Sequence, residues 1–122
     1  MANRITSLCI DCLDAEPLAD FWTQVLDWQI TERSDDGVSI GPNGVAALVI
    51  DFFVVPDGPK VGKNRLHLDL NATDRDQDAE LERLLSLGAT RADVGQGDVS
   101  WHVLADPEGN EFCLLRRRVD PL

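Results

Sequence analysis

A histidine and an aspartate stand two residues apart within residues 65–70, which read R-L-H-L-D-L. Leucines alternate with His67 and Asp69, and a period of two is typical of a half-buried strand whose successive side chains point to opposite faces. We therefore expect the leucines to pack in a core while His67 and Asp69 share the other face. A carboxylate beside an imidazole orients the ring, so this pair suits general acid or base catalysis with His67 as the proton carrier. The less specific interpretation is a histidine that only hydrogen-bonds to Asp69 on the wall of a pocket.

Two cysteines stand in a similar alternating segment, Leu8 to Cys12, which reads L-C-I-D-C. Cys9 and Cys12 have a C-x-x-C spacing, but no second such pair follows. On a strand their side chains point to opposite faces, which is poor geometry for a disulfide or a shared metal, so we interpret both as structural. With Cys113 the chain has three cysteines, an odd number. In a chain without a signal-like start, this predicts reduced thiols and a cytoplasmic location.

Charge and composition limit the class of partner. The chain has 122 residues, 43% of them hydrophobic and 27% charged, and its 22 acidic and 11 basic residues give a net charge of -11. These values are typical of one globular domain. A strongly negative surface repels phosphate backbones and anionic lipid, so we expect neither a nucleic-acid nor a membrane partner. The one basic run, residues 116–118, is interpreted as a solvated strand end.

Periodicity in the first half predicts the order strand, helix and three strands. A strand at 4–12 leads into a helix that Asp14 caps. The helix has an apolar stripe with the spacing of one helical face, formed by Leu18, Phe21, Trp22, Val25 and Leu26. Turn residues separate the three strands that follow, at 28–33, 38–40 and 45–55. The last of these strands has one apolar face, comprising Ala46, Leu48, Ile50, Phe52 and Val54.

Periodicity in the second half predicts the same order. A strand at 65–71 precedes a helix to about Leu87, with Thr73 or Asp74 as its cap and Gly88 at its end. Three leucines of this helix are predicted to be buried, namely Leu81, Leu84 and Leu85. Three strands follow, at 90–94, 99–105 and 111–116.

The two halves match at a constant offset. Asp14 lies seven positions after Ser7, Asp74 lies seven positions after His67, and both ends are displaced by 60 residues. An internal repeat of this size indicates two copies of one supersecondary unit, here βαβββ. We therefore predict an α+β fold built from two βαβββ modules.

Two tryptophans and a second histidine are further residues whose role depends on where their side chains lie. Trp22 lies on the helix stripe and Trp101 lies in a predicted strand, so both are predicted to be core residues rather than stacking platforms. His102 shares a strand face with Leu104. It lies either in a pocket or on the outer surface.

The chain resembles the vicinal oxygen chelate superfamily, that of glyoxalase I, extradiol dioxygenases and bleomycin-resistance proteins, and more narrowly the small glyoxalase-like domains of actinobacteria. Four segments carry the resemblance: D-A-E-P-L-A-D-F-W-T-Q-V-L (14–26), R-L-H-L-D-L (65–70), L-L-S-L-G-A-T (84–90) and V-L-A-D-P-E-G-N-E-F-C-L-L (103–115). The resemblance implies one domain over residues 1–122. Its two tandem βαβββ modules, at about 4–55 and 64–117, are expected to form a U-shaped cleft of mixed sheet that binds a small molecule. It also implies a homodimer.

Metalloenzymes of this superfamily carry their ligands on the first and the last strand of each module. By this resemblance His67 matches a ligand position, whereas two other positions map onto Ser7 and Cys113, and Glu111 stands two residues early. Zinc, iron and nickel need three or four donors, so this set is incomplete. No cofactor is therefore favoured, although a divalent metal stays an alternative, including zinc on Cys113, His67 and Cys9 after a register change. The expected pocket residues are Ser7, His67, Asp69 and Cys113.

Three functions stay open. The first is a lyase, isomerase or dioxygenase that uses a metal to polarise vicinal oxygens, and the incomplete ligand set counts against it. The second is a metal-free enzyme with His67 as the general acid or base. The third is a non-catalytic resistance protein that binds an antibiotic, whose cationic group the acidic surface would attract. We favour a glyoxalase-like protein of unassigned activity that binds a small molecule in the cleft without the full metal triad, which leaves open whether it is an enzyme.

Overall fold

The structure is a computed structural model that describes residues 2–44 and 48–121. These residues contain two helices and eight strands. They divide into two compact units, Met1–Pro59 and Lys60–Leu122. Each unit holds one helix and one four-stranded mixed sheet, so the predicted α+β class is confirmed. Neither helix of the described residues is long and apolar enough to cross a membrane.

The first unit follows the predicted order of strand, helix and three strands. Its elements are β1 (Ser7–Cys12), α1 (Ala15–Leu26), β2 (Gln29–Ser34), β3 (Gly37–Gly41) and β4 (Val49–Val54). The sheet has the order β1-β4-β3-β2, in which β1 runs parallel to β4 and the other pairs are antiparallel. A parallel pair needs a long crossover connection, which α1 and the β2–β3 hairpin supply.

Helix α1 packs into the core of the first unit through the predicted stripe. Four of the five stripe residues are buried and Leu26 is half-buried. The rings of Phe21 and Trp22 meet edge to face with their centroids 5.3 Å apart. Trp22 is 1% exposed, which confirms its predicted place in the core. The helix begins after Asp14, at the predicted cap position, and ends at Asp27, whose backbone is left-handed with φ 56°.

The first and the last strand of the first unit, β1 and β4, are shorter than the periodicity predicts. β1 begins at Ser7 rather than at residue 4, and β4 begins at Val49. Ala46, which belongs to the predicted apolar face of β4, lies outside the described residues. On that face Ile50 and Phe52 are buried, whereas Leu48 and Val54 are exposed, so the prediction holds only for the middle of the strand. A period of two assigns a residue to a face, but it does not show how far the covering layer extends.

Gly37 allows two strands to approach closely. It pairs with Ser34 across the two-residue turn between β2 and β3. A Cβ atom at Gly37 would lie 2.0 Å from the carbonyl oxygen of Phe52, which is too close for any side chain. The glycine after the predicted turn is therefore required by strand packing rather than by an unusual backbone angle.

The second unit repeats the topology of the first. Its elements are β5 (Asp69–Leu70), α2 (Gln77–Leu87), β6 (Thr90–Arg91), β7 (His102–Ala105) and β8 (Glu111–Leu114). The sheet order is β5-β8-β7-β6, with β5 parallel to β8 and the other pairs antiparallel. The same strand order and the same single parallel pair in both units support the repeat that the offset of 60 residues predicts.

The cap of α2 differs from the prediction. Asp76 is the capping residue, and its carboxylate accepts a hydrogen bond of 2.8 Å from the amide of Ala79. Asp74, one of the two predicted caps, forms a 2.9 Å ion pair with Arg75 instead. A side chain caps a helix only from the position directly before the first turn, and this helix begins later than the pattern suggests. The end of the helix at Gly88 agrees with the prediction, with φ 120°.

Two predictions of leucine burial, one in α2 and one in the opening strand, need correction. Leu81 and Leu84 are buried as expected, but Leu85 is only half-buried. β5 comprises two residues rather than the predicted 65–71, although its backbone pairing with β8 continues to Leu68. Leu66 is 82% exposed, so its predicted place in the core is wrong. The chain before Leu68 leaves the sheet, and alternation without a sheet produces no buried face.

A long irregular loop separates β6 from β7. The predicted strands at 90–94 and 99–105 are reduced to Thr90–Arg91 and His102–Ala105, so residues 92–101 connect them without regular structure. β8 likewise ends before the predicted boundary. Glycines and polar residues dominate this loop, and such residues favour turns over strands.

Candidate functional site

The second unit contains a cavity of about 390 Å³. Its apolar wall consists of Val94, Trp101, Val103 and Leu115. Its polar wall consists of Lys63, His67, Asp69, Gln96, Glu111 and Cys113. A largely apolar cavity with a few convergent polar groups is typical of a small-molecule site.

His67 and Asp69 lie in contact on this wall. The Nε2 atom of His67 is 3.2 Å from the Oδ1 atom of Asp69, and the two side chains are 43% and 52% exposed. They share one side because alternate residues of an extended chain point the same way. A carboxylate can only accept a hydrogen bond, so Nε2 carries the proton when the two groups are bonded, and Nδ1 of the neutral ring keeps the lone pair.

Cys113 lies next to Asp69 on the neighbouring strand. The parallel pairing of β5 with β8 places Asp69 opposite Cys113, and the thiol is buried. Burial raises the pKa of Cys113, and the negative charge of Asp69 and a hydrogen bond to it raise it further, against the opposing charge of Lys63. The group is therefore a neutral thiol near pH 7, and it serves as a donor to Asp69 rather than as a nucleophile.

Glu111 lines the same cavity, but its carboxylate is already bonded to other groups of the protein. Its Oε2 atom is 3.0 Å from the ammonium of Lys60, and its Oε1 atom accepts a 2.8 Å hydrogen bond from the amide of Asn64. Burial opposes ionisation, but these two contacts outweigh it and hold the pKa of Glu111 below its usual value. Glu111 thus stays ionised and ties residues 60–64 to β8.

Ser7, the fourth predicted pocket residue, lies in the first unit. It is the first residue of β1 and pairs with Val49 of β4. The structure therefore brings together three of the four predicted residues, His67, Asp69 and Cys113, in one cavity of the second unit.

Asp51 is a residue that the sequence reasoning missed. In the first unit the thiol of Cys9 is on the first strand, β1, opposite the carboxylate of Asp51 on β4. In the second unit the order is reversed, with the carboxylate of Asp69 on the first strand, β5, opposite the thiol of Cys113 on β8. Asp51 accepts hydrogen bonds from the hydroxyl of Ser39 and from the thiol of Cys9. A single charged residue within the apolar run 45–55 is the signal that could have identified it.

The three residues also fit a divalent metal. One ligand atom from each of His67, Asp69 and Cys113 lies within 4.8 Å of the others. Donors around tetrahedral zinc are roughly 3.3–3.8 Å apart, so small side-chain movements would bring them into range. A nitrogen, an oxygen and a sulfur ligand suit zinc better than magnesium or calcium, and a bound ion would deprotonate the thiol. Cys9, the third zinc ligand considered from the sequence, is not in this group among the described residues.

Trp101 and His102 line a neighbouring cavity of about 360 Å³. The two cavities share Gln96, Trp101 and Val103. Trp101 is 39% exposed, so its predicted place in the core is wrong. It precedes the first residue of β7 and therefore belongs to the loop rather than to the sheet. His102 is half-buried on the wall of this neighbouring cavity. Of the two places considered from the sequence, a pocket and the outer surface, the structure has the pocket.

The family model for the glyoxalase-like domain matches residues 7–115. The chain belongs to the glyoxalase-like domain family. This match supports the resemblance to the vicinal oxygen chelate superfamily that the four sequence segments predict. No curated protein matches the sequence of this glyoxalase-like domain.

Solved structures of related proteins have the fold of this glyoxalase-like domain. A glyoxalase/bleomycin resistance protein/dioxygenase family enzyme from Burkholderia phytofirmans matches with a TM-score of 0.70 at 19% identity, covering 92% of this chain and 97% of that one. A fosfomycin resistance protein from Mesorhizobium loti matches with 0.67 at 16%, covering 93% and 92%. A glyoxalase-related enzyme from Fulvimarina pelagi matches with 0.65 at 18%, covering 93% and 87%. At these identities the likeness shows the fold alone.

Proposed function

We propose that this glyoxalase-like domain binds a small organic molecule in the cavity of its second unit, and that His67, oriented by Asp69, transfers a proton on that molecule. The observation that carries the proposal is the 3.2 Å contact between His67 and Asp69 on the cavity wall. The neutral thiol of Cys113 supports Asp69 from the adjacent strand. The reaction class is an isomerisation or an elimination next to a carbonyl group.

The proposed chemistry uses groups that line the cavity. With Nε2 held by Asp69, the Nδ1 atom of His67 accepts a proton from the bound molecule, and the carboxylate stabilises the imidazolium that forms. The ammonium of Lys63 lines the same cavity and would stabilise negative charge that develops on a substrate oxygen. The apolar wall would keep water from the side of the bound molecule that it covers and so strengthen these charge interactions.

The proposal is tested by hydrogen–deuterium exchange. The purified protein is incubated in D2O with a set of 2-hydroxy ketones and 2-oxo acids, and NMR follows the loss of the proton next to each carbonyl. We expect His67→Gln to slow the exchange of an accepted compound by about 100-fold or more, the range of general acid–base catalysis. Asp69→Asn should slow it less, and Asp57→Asn, a matched change at an exposed site, should leave it unchanged. Equal exchange by wild type and His67→Gln would contradict the proposal.

A second candidate is a metal-dependent enzyme at the same residues. The observation that favours it is the convergence of ligand atoms from His67, Asp69 and Cys113 within 4.8 Å. An ion held there would act as a Lewis acid towards substrate oxygens. Dialysis against zinc followed by elemental analysis tests this alternative. One ion per chain that is lost in Cys113→Ser but kept in Cys9→Ser supports it, and no binding excludes a zinc-dependent reaction.

Three further predictions remain: a homodimer from the resemblance, a cytoplasmic location from the cysteines, and non-catalytic binding of an antibiotic from the resemblance. Analytical ultracentrifugation of the purified chain tests the first. Titration with a cationic glycopeptide antibiotic such as bleomycin tests the third. If bleomycin binds and no carbonyl compound is turned over, the resistance function replaces the catalytic one.

A further inference from the structure

We propose that the two neighbouring cavities of the second unit form one extended site for an aromatic carboxylate, with the aromatic ring on Trp101 and the carboxylate at Arg91. This inference names the ligand class of the proposed function and rests on it only in assuming that the cavity at His67 receives the ligand. The shared lining of the cavities, the position of Trp101 and the charge of Arg91 support this site.

The two cavities are neighbours that share part of their lining. The larger has about 390 Å³ and the smaller about 360 Å³, and both are lined by Gln96, Trp101 and Val103. Ligand sites typically have 300–1,000 Å³, so each cavity lies at the small end of that range, and the two together suit a molecule with two distinct ends. The larger cavity presents His67 and Asp69 to one end.

Trp101 is held as a platform between the cavities. The side-chain amide of Gln77, at the start of α2, donates a 2.9 Å hydrogen bond to the carbonyl of Ser100, directly before the tryptophan. Gln96 accepts a 2.8 Å hydrogen bond from the amide of Val94, and this contact stabilises the conformation of the loop at 92–101. An indole that is 39% exposed on a braced loop gains free energy when an aromatic ring covers it, because stacking adds to the burial of apolar area.

Arg91 supplies an available positive charge at the far end. It lies in β6 opposite Leu104 and lines the smaller cavity. Among the described residues, Arg91 forms no salt bridge, in contrast to the paired arginines Arg33, Arg75 and Arg83. Guanidinium groups bind carboxylates through two parallel hydrogen bonds, so this end favours a carboxylate over a neutral group.

Other charged groups on the smaller cavity modify this preference. His102 lines the same cavity as Arg91, and an imidazole N–H can donate a further hydrogen bond. Asp93 and Asp98 also line the cavity, but the carboxylate of Asp93 already accepts a 2.8 Å hydrogen bond from the amide of Gly95. The net charge of -11 repels anions from a distance, yet salt screens charges that lie more than about 8 Å apart. A direct contact with Arg91 therefore outweighs the acidic groups outside the cavity, whereas Asp98 inside it lowers the affinity for an anion.

Three probes separate the ring from the charge. Calorimetric titration compares 2-naphthoate with the neutral 2-naphthamide and with the saturated decahydro-2-naphthoate. We expect 2-naphthoate to bind about tenfold more tightly than the amide, since one charged contact is worth about 1.4 kcal/mol. It should also bind roughly 3- to 10-fold more tightly than the saturated acid. This wild-type comparison needs no variant, and equal binding of all three probes overturns the inference.

Four variants then assign the two preferences to their residues. Arg91→Gln should remove the preference for the acid over the amide and keep the preference for the aromatic ring. Trp101→Leu should do the reverse, and Trp101→Phe should restore most of the ring preference. Arg118→Gln, the same change at an exposed arginine that does not line either cavity, is the control. If Arg118→Gln weakens 2-naphthoate as much as Arg91→Gln does, only the overall charge is involved and the inference is wrong.

The failure of this inference is distinguishable from the failure of the proposed function. Binding of the three probes is measured on the wild-type protein without turnover, so the result does not depend on whether His67 transfers a proton. A protein that prefers 2-naphthoate but catalyses no exchange supports the ligand class and contradicts proton transfer. A protein that exchanges protons but binds all three probes equally contradicts the ligand class alone.

Discussion

Asp69 and Cys113 are register partners on the parallel strands β5 and β8, and the same carboxylate lies 3.2 Å from His67. The carboxylate of Asp69 therefore contacts the imidazole of His67 in its own chain segment and the thiol of Cys113 on the neighbouring strand. Because carboxylates accept but do not donate near neutral pH, both neighbours must be the donors. Burial and the charge of Asp69 together raise the pKa of Cys113, and Nδ1 is the ring nitrogen of His67 that does not face Asp69.

The first prediction concerns the reactivity of Cys113. Asp69→Asn removes a negative charge that raises the pKa of this thiol, so its pKa should fall towards the ordinary value while burial keeps it from reaching it. At a fixed pH near 8, alkylation of Cys113 by iodoacetamide should then be several-fold faster. The measurement uses mass spectrometry in a Cys9→Ser background, because Cys9 is exposed. An unchanged pH profile of alkylation would show that Asp69 does not act on the thiol.

The second prediction concerns Gly37. A Cβ atom there would meet the carbonyl oxygen of Phe52 at 2.0 Å, so Gly37→Ala should lower the free energy of unfolding by about 2 kcal/mol or more. Gly41 in the same strand is the matched control. A Cβ atom at Gly41 would contact only the side chains of Val49 and Thr31, at 3.3 and 3.4 Å. Urea unfolding should show a clearly smaller loss for Gly41→Ala, and equal losses would refute the close approach at Gly37.

The third prediction concerns the pH dependence that Glu111 contributes. Its folded-state pKa lies below the usual value of 4.5, so it stabilises the folded protein above the unfolded-state pKa, and this contribution is lost as the pH falls through the lower folded-state pKa. Glu111→Gln should therefore cost about 1 kcal/mol at pH 7 and progressively less in acid below pH ~4. Urea unfolding at several pH values measures the difference.

The control for this prediction is Glu82→Gln, a change at an exposed position of α2. Its effect on unfolding should be small at every pH. A loss from Glu111→Gln that stays constant down to pH 3 would show that the carboxylate charge is not the stabilising feature.

The fourth prediction concerns the beginning of α2. Asp76→Ala removes the carboxylate that accepts from the amide of Ala79, which should cost about 1 kcal/mol of stability. Asp74→Ala removes a solvent-exposed ion pair with Arg75 and should have no measurable effect. Thermal unfolding of both variants measures the two losses of stability. A larger loss for Asp74→Ala than for Asp76→Ala would show that Asp74 is the cap, as the sequence pattern predicts.

Local chemistry made several features of the fold predictable. The stripe from Leu18 to Val25 is buried as its helical spacing requires, because the 3.6-residue period depends only on the helix itself. Gly88 ends α2 for a similarly local reason, since glycine adopts a positive φ at little cost. Errors concentrate where an alternating or aromatic segment lies outside a sheet, as for Leu66 and Trp101, because alternation does not show whether a partner strand is present.

The sequence by itself determined that His67 and Asp69 stand on one side of the chain, that a βαβββ unit occurs twice, and that the chain resembles the glyoxalase-like proteins. The first two properties follow from spacing along the chain, which local backbone geometry converts into faces and periods, whereas the resemblance rests on four sequence segments. Only the tertiary structure decided that Cys113 lies opposite Asp69, that Glu111 is occupied by Lys60 and Asn64, and that Trp101 lines two cavities. The register of strands that are distant in sequence and the path of a loop depend on how the whole unit packs, and no local period determines them.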